Sequence, residues 1–322
     1  MSDFIIKCSS YTTDGSSCQD RTLAVMFPVP ETDTTLAIVA VWDGHGINGE
    51  VVATTARDMT HEYFQHVNHT WIERTDATWT LEFTQLFEDI HRRFQDSLGG
   101  STASVALCFV NADGTKSRLI HANVGDSPIY VIDKVTRTGH TISVDHRPDN
   151  LDEATRLHHF GPQAMSPVYM TRKPNTTRIF IVDPKNEGML MKNPRYENHG
   201  VLWRMGCSPT TVDYDPQTYL VSTAGNVSVS RALADFKYVP HGMTCTPHVS
   251  STILGNTEFV AIMSDGITDV FERAVLPGYI IDTIASYESL ESASGKITTD
   301  ANNNWKTRFG SSADDASIAI LL

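Results

Sequence analysis

The sequence predicts an α+β fold in which antiparallel sheets carry helices on their outer faces. Strand-like runs follow one another directly and helical patterns come in groups, unlike the regular alternation that builds a parallel doubly wound sheet. The closing segment, ASIAILL, is almost wholly apolar and therefore belongs at the centre of a sheet.

The elements follow in chain order. Phe4–Cys8, Arg21–Phe27 and Thr35–Trp42 read as strands. Gly49–Val67 has helical spacing through Val52, Thr55, Ala56, Met59 and Tyr63. Leu81–Leu98 sets Phe83, Leu86, Phe87, Ile90 and Phe94 on one stripe, the pattern of a core-packing helix. Thr102–Val110, Ser117–Val124 and Ile129–Asp133 read as a three-strand meander, and Leu151–His158 as a short helix. From about Gly161 to Tyr219 the chain is rich in Pro, Asn and Arg, with only short strand-like pieces such as Arg178–Val182. Strands return at Thr257–Met263 and Ala316–Leu322, with helical patterns around Ala274–Tyr287 and Leu290–Ile297 between them. There is no internal repeat.

Composition narrows the function. The chain has 322 residues, 40% hydrophobic and 20% charged, with a net charge of −13. An acidic surface argues against a nucleic-acid backbone or an anionic membrane as partner. The five cysteines lack CxxC spacing, so they read as reduced structural thiols. The opening MSDFIIKCSS does not have the pattern of a secretory leader, and no apolar run approaches the ~18 residues of a membrane span. The expectation is a cytoplasmic or nuclear enzyme.

The chemistry is concentrated at strand ends. Leu36 to Trp42 is apolar, and it stops at Asp43-Gly44-His45-Gly46. Asp126 follows LIHANVG, Asp265 follows EFVAIMS, and Asp314 and Asp315 immediately precede ASIAILL. Taken singly, each Asp-Gly or strand-terminal Asp is an ordinary turn. Together, partly desolvated carboxylates repel one another and raise each other's pKa unless a cation sits among them. Oxygen donors without paired His or Cys select Mg²⁺, Mn²⁺ or Ca²⁺. A glycine at Gly44 lets the backbone approach an ion, and His45 is placed to give a proton to a leaving oxygen.

The ordered set SSCQDR, VWDGHGING, GGSTASVAL, HANVGDSPIYVI, SVDHRPDNLDEATRL, VSVSRALAD, PHV, FVAIMSDGITDVF and ADDASIAILL resembles the metal-dependent serine/threonine protein phosphatases of type 2C over nearly the whole chain. The resemblance implies a four-layer α/β/β/α sandwich, two antiparallel sheets flanked by helices, with a two-metal site at one end. It implies one catalytic domain over residues 1–322, with an enlarged flap at about 161–219. Asp43 matches the bridging ligand and Gly44 a carbonyl ligand; Asp265 and Asp314 match ligands of a Mg²⁺ or Mn²⁺ pair, and Asp20 a supporting acid. Asp126 and Asp269, with Asp265, match a weaker third metal position. His45 matches the general acid. The implied reaction is attack of metal-activated water on phosphoserine or phosphothreonine of a phosphoprotein.

The sequence also departs from the family. An arginine that grips the substrate phosphate in many members is replaced by Gly15, which would cost about 1.5–3 kcal/mol of binding, or roughly 10- to 100-fold. Arg21, Lys7 or a residue of the insert could take its place. Gln19 stands where many members have Glu, Pro128 replaces an Arg, and Ala234 replaces a Gly before Asp235 without touching the expected chemistry. The insert carries Arg172, Lys173, Arg178, Lys185, Lys192, Arg195 and Arg204, which suggests a partner- or substrate-selecting element. The alternative to an active enzyme is a catalytically dead relative serving as a binding scaffold.

Overall fold

The computed structural model describes residues 8–12, 18–170, 176–186, 189–194, 217–222, 225–309 and 313–322. Two five-stranded antiparallel sheets form its centre. The elements at the N-terminal side are β1 (Cys8–Thr12), β2 (Arg21–Pro28), β3 (Thr34–Trp42), β4 (Gly44–Gly46), α1 (Gly49–Phe64), α2 (Asp76–Arg92), β5 (Gly99–Ser101), β6 (Ala103–Asn111), β7 (Lys116–Val124), β8 (Ile129–Asp133), β9 (Thr138–Thr141) and α3 (Leu151–Phe160). The insert contributes β10 (Ser166–Met170), β11 (Thr176–Arg178), β12 (Phe180–Val182) and β13 (Leu190–Lys192); β14 (Gln217–Ser222) runs out of it and β15 (Gly225–Val227) follows. Then come β16 (Leu233–Ala234), β17 (His248–Thr252), β18 (Glu258–Met263), α4 (Asp265–Thr268), α5 (Leu276–Ser286), α6 (Leu290–Phe309) and β19 (Ser317–Leu321). One large sheet runs β17-β7-β6-β3-β2 and the other β1-β19-β18-β8-β9.

The unbroken apolar runs explain the layering. Successive side chains of a strand point to opposite faces, so a strand covered on both sides must be apolar throughout. In β3, Leu36, Ile38, Ala40 and Trp42 face a core shared with Phe64 of α1 and Trp79 and Phe83 of α2. Ala37, Val39 and Val41 face the opposite way, into a core with Val260, Ile262, Ala319 and Leu321 of the other sheet. The alternation repeats in β18, where Phe259, Ala261 and Met263 turn outward onto Ile280 of α5 and Ile297 and Ala301 of α6. The result is helix, sheet, sheet, helix.

Several boundaries differ from the periodicity. Helix α2 starts at Asp76 because the Thr75 side chain caps it by accepting from Thr78 N. Helix α6 runs on to Phe309 through Asn302, Asn303 and Asn304, where no apolar stripe signals it. It is held there by buried Ala301, by the Lys296–Asp300 ion pair and by Trp305 Nε1 donating to Gly266 O. The polar strands β9 and β17 lie at sheet edges, where one-sided pairing leaves no apolar run to read. The expected strand at Phe4–Cys8 falls almost wholly outside the described residues, and β1 begins at Cys8. Part of the insert folds as a small sheet, β11-β10-β14-β15, and a hairpin, β12-β13.

Candidate active site

Strands of both sheets deliver carboxylates to one end of the sandwich. Asp43 follows β3, Asp20 precedes β2, Asp126 lies between β7 and β8, Asp265 opens α4 with Asp269 capping it, and Asp314 stands before β19. Burial first, and then the charges of Asp20, Asp265, Asp314 and Asp126, push the Asp43 pKa well above the ordinary carboxylate range. Burial and the facing Asp269 and Asp314 charges raise Asp265 to about 7. Asp126 is likewise pushed to about 7 by burial, against the pull of the Arg147 guanidinium. Burial raises Asp20 to about 6, although Ser317 nearby works the other way. Asp314 is the most exposed member, at the rim.

Backbone and hydroxyl contacts hold this end rigid. Asp43 N donates to Thr102 Oγ1 at 3.1 Å, and Thr102 N returns to Asp43 O at 2.9 Å. Thr102 Oγ1 in turn meets Ser127 Oγ, beside Asp126, at 2.8 Å. Gln19 N donates to Asp315 Oδ2 at 2.8 Å, which ties the start of β2 to the start of β19. Gly44 is required for space: a Cβ there would lie 2.6 Å from Gln19 O and 2.7 Å from Gly49 O. Gly266 is tighter still, since a Cβ there would lie 1.8 Å from Asp315 O, so only glycine lets Asp265 come against β19.

Among the described residues, no three His, Cys, Asp or Glu side chains are closed around one point tightly enough to grip an ion as they stand. The fit to divalent cations rests on two other observations. The gathered donors are all hard oxygens, the set that suits Mg²⁺ or Mn²⁺. Both oxygens of Asp20 are buried with no hydrogen-bond partner, a costly arrangement that a cation would relieve.

His45 occupies the neighbouring position on β4, paired with Gly100 of β5. Its Nε2 lies 2.6 Å from Asp235 Oδ2, and the Asp235 side chain is only 3% exposed. Burial pulls the His45 pKa down, but the Asp235 charge and hydrogen bond outweigh it and leave it raised. Nothing in the sequence singles out Asp235 beyond its place at the end of VSVSRALAD. Both Ala234 (φ 61°) and Asp235 (φ 51°) adopt the left-handed conformation. That corrects the expectation that Ala234 is remote from the chemistry. It occupies a position that favours glycine, at a cost of roughly 1–2 kcal/mol, in the turn that presents Asp235 to His45.

A family model described as Protein phosphatase 2C matches residues 31–307. The chain belongs to the protein phosphatase 2C family. Within that family it is 24% identical over 297 residues to a "Probable protein phosphatase 2C 64" of rice, covering 88% of this chain and 58% of the relative. It is 22% identical to a "Probable protein phosphatase 2C 61" of Arabidopsis thaliana, covering 88% of this chain and 75% of the relative. The chain therefore spans less than two thirds of the length of the rice protein. Among solved structures, a serine-threonine phosphatase 2C from Toxoplasma gondii superimposes with a TM-score of 0.63 at 16% identity, over 98% of this chain and 94% of that one. A Caenorhabditis elegans sex-determining protein does so with a TM-score of 0.62 at 20% identity, over 98% of this chain and 64% of that one. These establish the α/β/β/α fold.

The structure brings together Asp20, Asp43, Gly44, His45, Asp126, Asp265, Asp269 and Asp314 at this end of the family fold. Arg21 is committed elsewhere. Its guanidinium donates to Thr54 Oγ1, Cys18 O, Asp20 O and Glu50 Oε1, which clamps β2 to the start of α1. Lys7, Gly15, Arg172, Lys173, Arg195 and Arg204 lie outside the described residues. Arg178 and Lys185 are exposed on the insert and Lys192 is half-buried there.

Proposed function

We propose that this chain is a metal-dependent phosphatase that hydrolyses phosphoserine and phosphothreonine in proteins, a reading carried by the convergence of buried carboxylates beside a histidine whose pKa Asp235 raises. Asp43, Asp265, Asp314 and the Gly44 carbonyl would hold a pair of Mg²⁺ or Mn²⁺ ions, with Asp20 in support. When bound, such a pair supplies an ionised water at neutral pH and withdraws charge from the phosphoryl oxygens. The chain's own residues do the rest. Asp43 and Asp20 hold the reacting centre against the rigid ends of β3 and β2. His45, whose protonated form Asp235 favours at Nε2, would give a proton from Nδ1 to the departing serine or threonine oxygen.

The partner is a phosphoprotein, and the net charge of −13 disfavours nucleic acid or an anionic membrane in that role. The insert, which the family resemblance would set beside the site, is the proposed place for substrate or partner selection. The test is Asp43→Asn, assayed for phosphate release from a phosphothreonine peptide in Mn²⁺, with circular dichroism as the folding control. The variant should fold and lose turnover. A folded Asp43→Asn as active as wild type would overturn the assignment, and a wild type that binds Mn²⁺ without turnover would favour the scaffold alternative.

A further inference from the structure

Arg147 sits inside the acidic end of the site. Its Nε lies 3.5 Å from Asp126 Oδ2 and its Nη1 3.4 Å from Asp269 Oδ1, and its side chain is only 19% exposed. The carboxylates on either side are themselves covered, with Asp126 3% and Asp269 17% exposed. The charges of Asp265 and Asp145 also bear on the guanidinium.

The segment that carries Arg147 is fixed on both flanks. His146 N donates to Gly125 O at 2.9 Å and the His146 ring meets the same carbonyl at 3.2 Å, one residue before Asp126. Ser230 N donates to His146 O at 2.8 Å, Asn150 N to Arg147 O at 3.0 Å, and Asn150 Nδ2 to Asp145 O at 3.0 Å. Gly125 itself is at φ +90°, and a Cβ there would meet Thr102 Cγ2 at 2.6 Å. The arginine is therefore anchored to Asp126 through a short, rigid stretch of backbone, and it reaches Asp269 across the site through its side chain.

We propose that Arg147 is the resident cation of the Asp126–Asp269 end of the site, so that the chain takes divalent ions only at the Asp43–Asp314 end and admits a further ion only when the guanidinium is removed. This rests on the metal-dependent reading above, and it replaces the weaker third ion that the family resemblance implies. Arginine suits the role because it stays charged at any pH at which the protein is folded, so it cannot vacate the position by losing a proton. A divalent ion would have to displace it and leave a buried cation without its partners. The Asp126 oxygen that accepts no hydrogen bond is then neutralised by an ion pair.

Mn²⁺ bound per chain, counted by equilibrium dialysis and by native mass spectrometry, tests this. Wild type and Arg147→Lys should bind two ions, and Arg147→Gln should bind one more. Equal, non-zero counts in wild type and Arg147→Gln would overturn this inference alone. A wild type that binds no Mn²⁺ would overturn the metal-dependent reading and this inference with it. Should Arg147→Gln fail to fold, Asp269→Asn decides. Its Mn²⁺ count should equal that of wild type, and a count lower by one ion would mean that a metal, not Arg147, fills this end.

Discussion

Replacing Asp235 with Asn should move the alkaline limb of the pH–rate profile. The substitution keeps the shape and leaves an oxygen to accept from His45 Nε2–H, but removes the negative charge 2.6 Å away. A charge-assisted hydrogen bond of this kind contributes about 1.5–3 kcal/mol. At 1.36 kcal/mol per pKa unit, its loss would lower the His45 pKa by roughly one to two units. The His45 side chain is 33% exposed, so solvent screening favours the lower part of that range. A general acid must be protonated to act, so a lower pKa means that activity fails at a lower pH. Cations at the site would depress the His45 pKa in both proteins and cancel in the difference. The assay is kcat against pH on a phosphothreonine peptide at saturating Mn²⁺. Asp235→Asn should show its alkaline limb displaced downward by about one unit, with kcat well below that limb nearly unchanged. A limb that stays in place would refute the claim that Asp235 sets the protonation of His45.

Three further outcomes follow from the same geometry. Mn²⁺ affinity should rise as pH increases through about 6 to 7, with proton release seen by calorimetry in buffers of different ionisation enthalpy. The reason is that burial raises Asp20 and Asp265, to about 6 and about 7, so both hold protons there in the metal-free chain. Thermal stability would not isolate this effect. Carboxyls raised in the folded chain favour folding at low pH and lose that contribution as pH rises through their folded values. His121 and His146, pushed down to about 4 and about 3 by burial, act in the opposite sense below about pH 6.5. Gly44→Ala should lose about 1–3 kcal/mol in urea unfolding and most of its activity, since the added methyl has no room against Gln19 and Gly49. Glu153→Gln should cost about 2–4 kcal/mol in the same experiment. Glu153 receives Arg156, Arg231 and the Ser230 hydroxyl in a side chain that is 4% exposed, while the arginines keep some solvent. Its pKa is lowered to about 2, with burial opposed and outweighed by those partners. Its stabilising contribution is therefore present above about pH 4.5 and fades as pH falls toward 2.

What the sequence makes legible is what burial on both faces enforces. The runs at β3, β18 and β19 have to be apolar throughout, so their ends, and the aspartates there, stand out. The order of those ends carries the family resemblance and, with it, the sheet-on-sheet architecture. Residues whose importance lies in a single long-range contact leave no such trace. Asp235 is an ordinary acid in a polar stretch until a left-handed turn brings it to His45, 190 residues away. Arg147 is one more basic residue after Asp145-His146 until β7 and α4 set Asp126 and Asp269 on either side of it. Arg21 misleads for the opposite reason. Its place beside Asp20 suggests a substrate role, whereas its guanidinium is used up on α1 and the neighbouring backbone.

The central claim is most directly tested by phosphate release from a phosphothreonine peptide by wild type with Mn²⁺, with Mg²⁺, with Ca²⁺ and with EDTA, alongside Asp314→Asn. Turnover supported by Mn²⁺ or Mg²⁺, absent with Ca²⁺ or EDTA and lost in the folded variant is the predicted result. Release that persists in EDTA, or that is undiminished in Asp314→Asn, would contradict it.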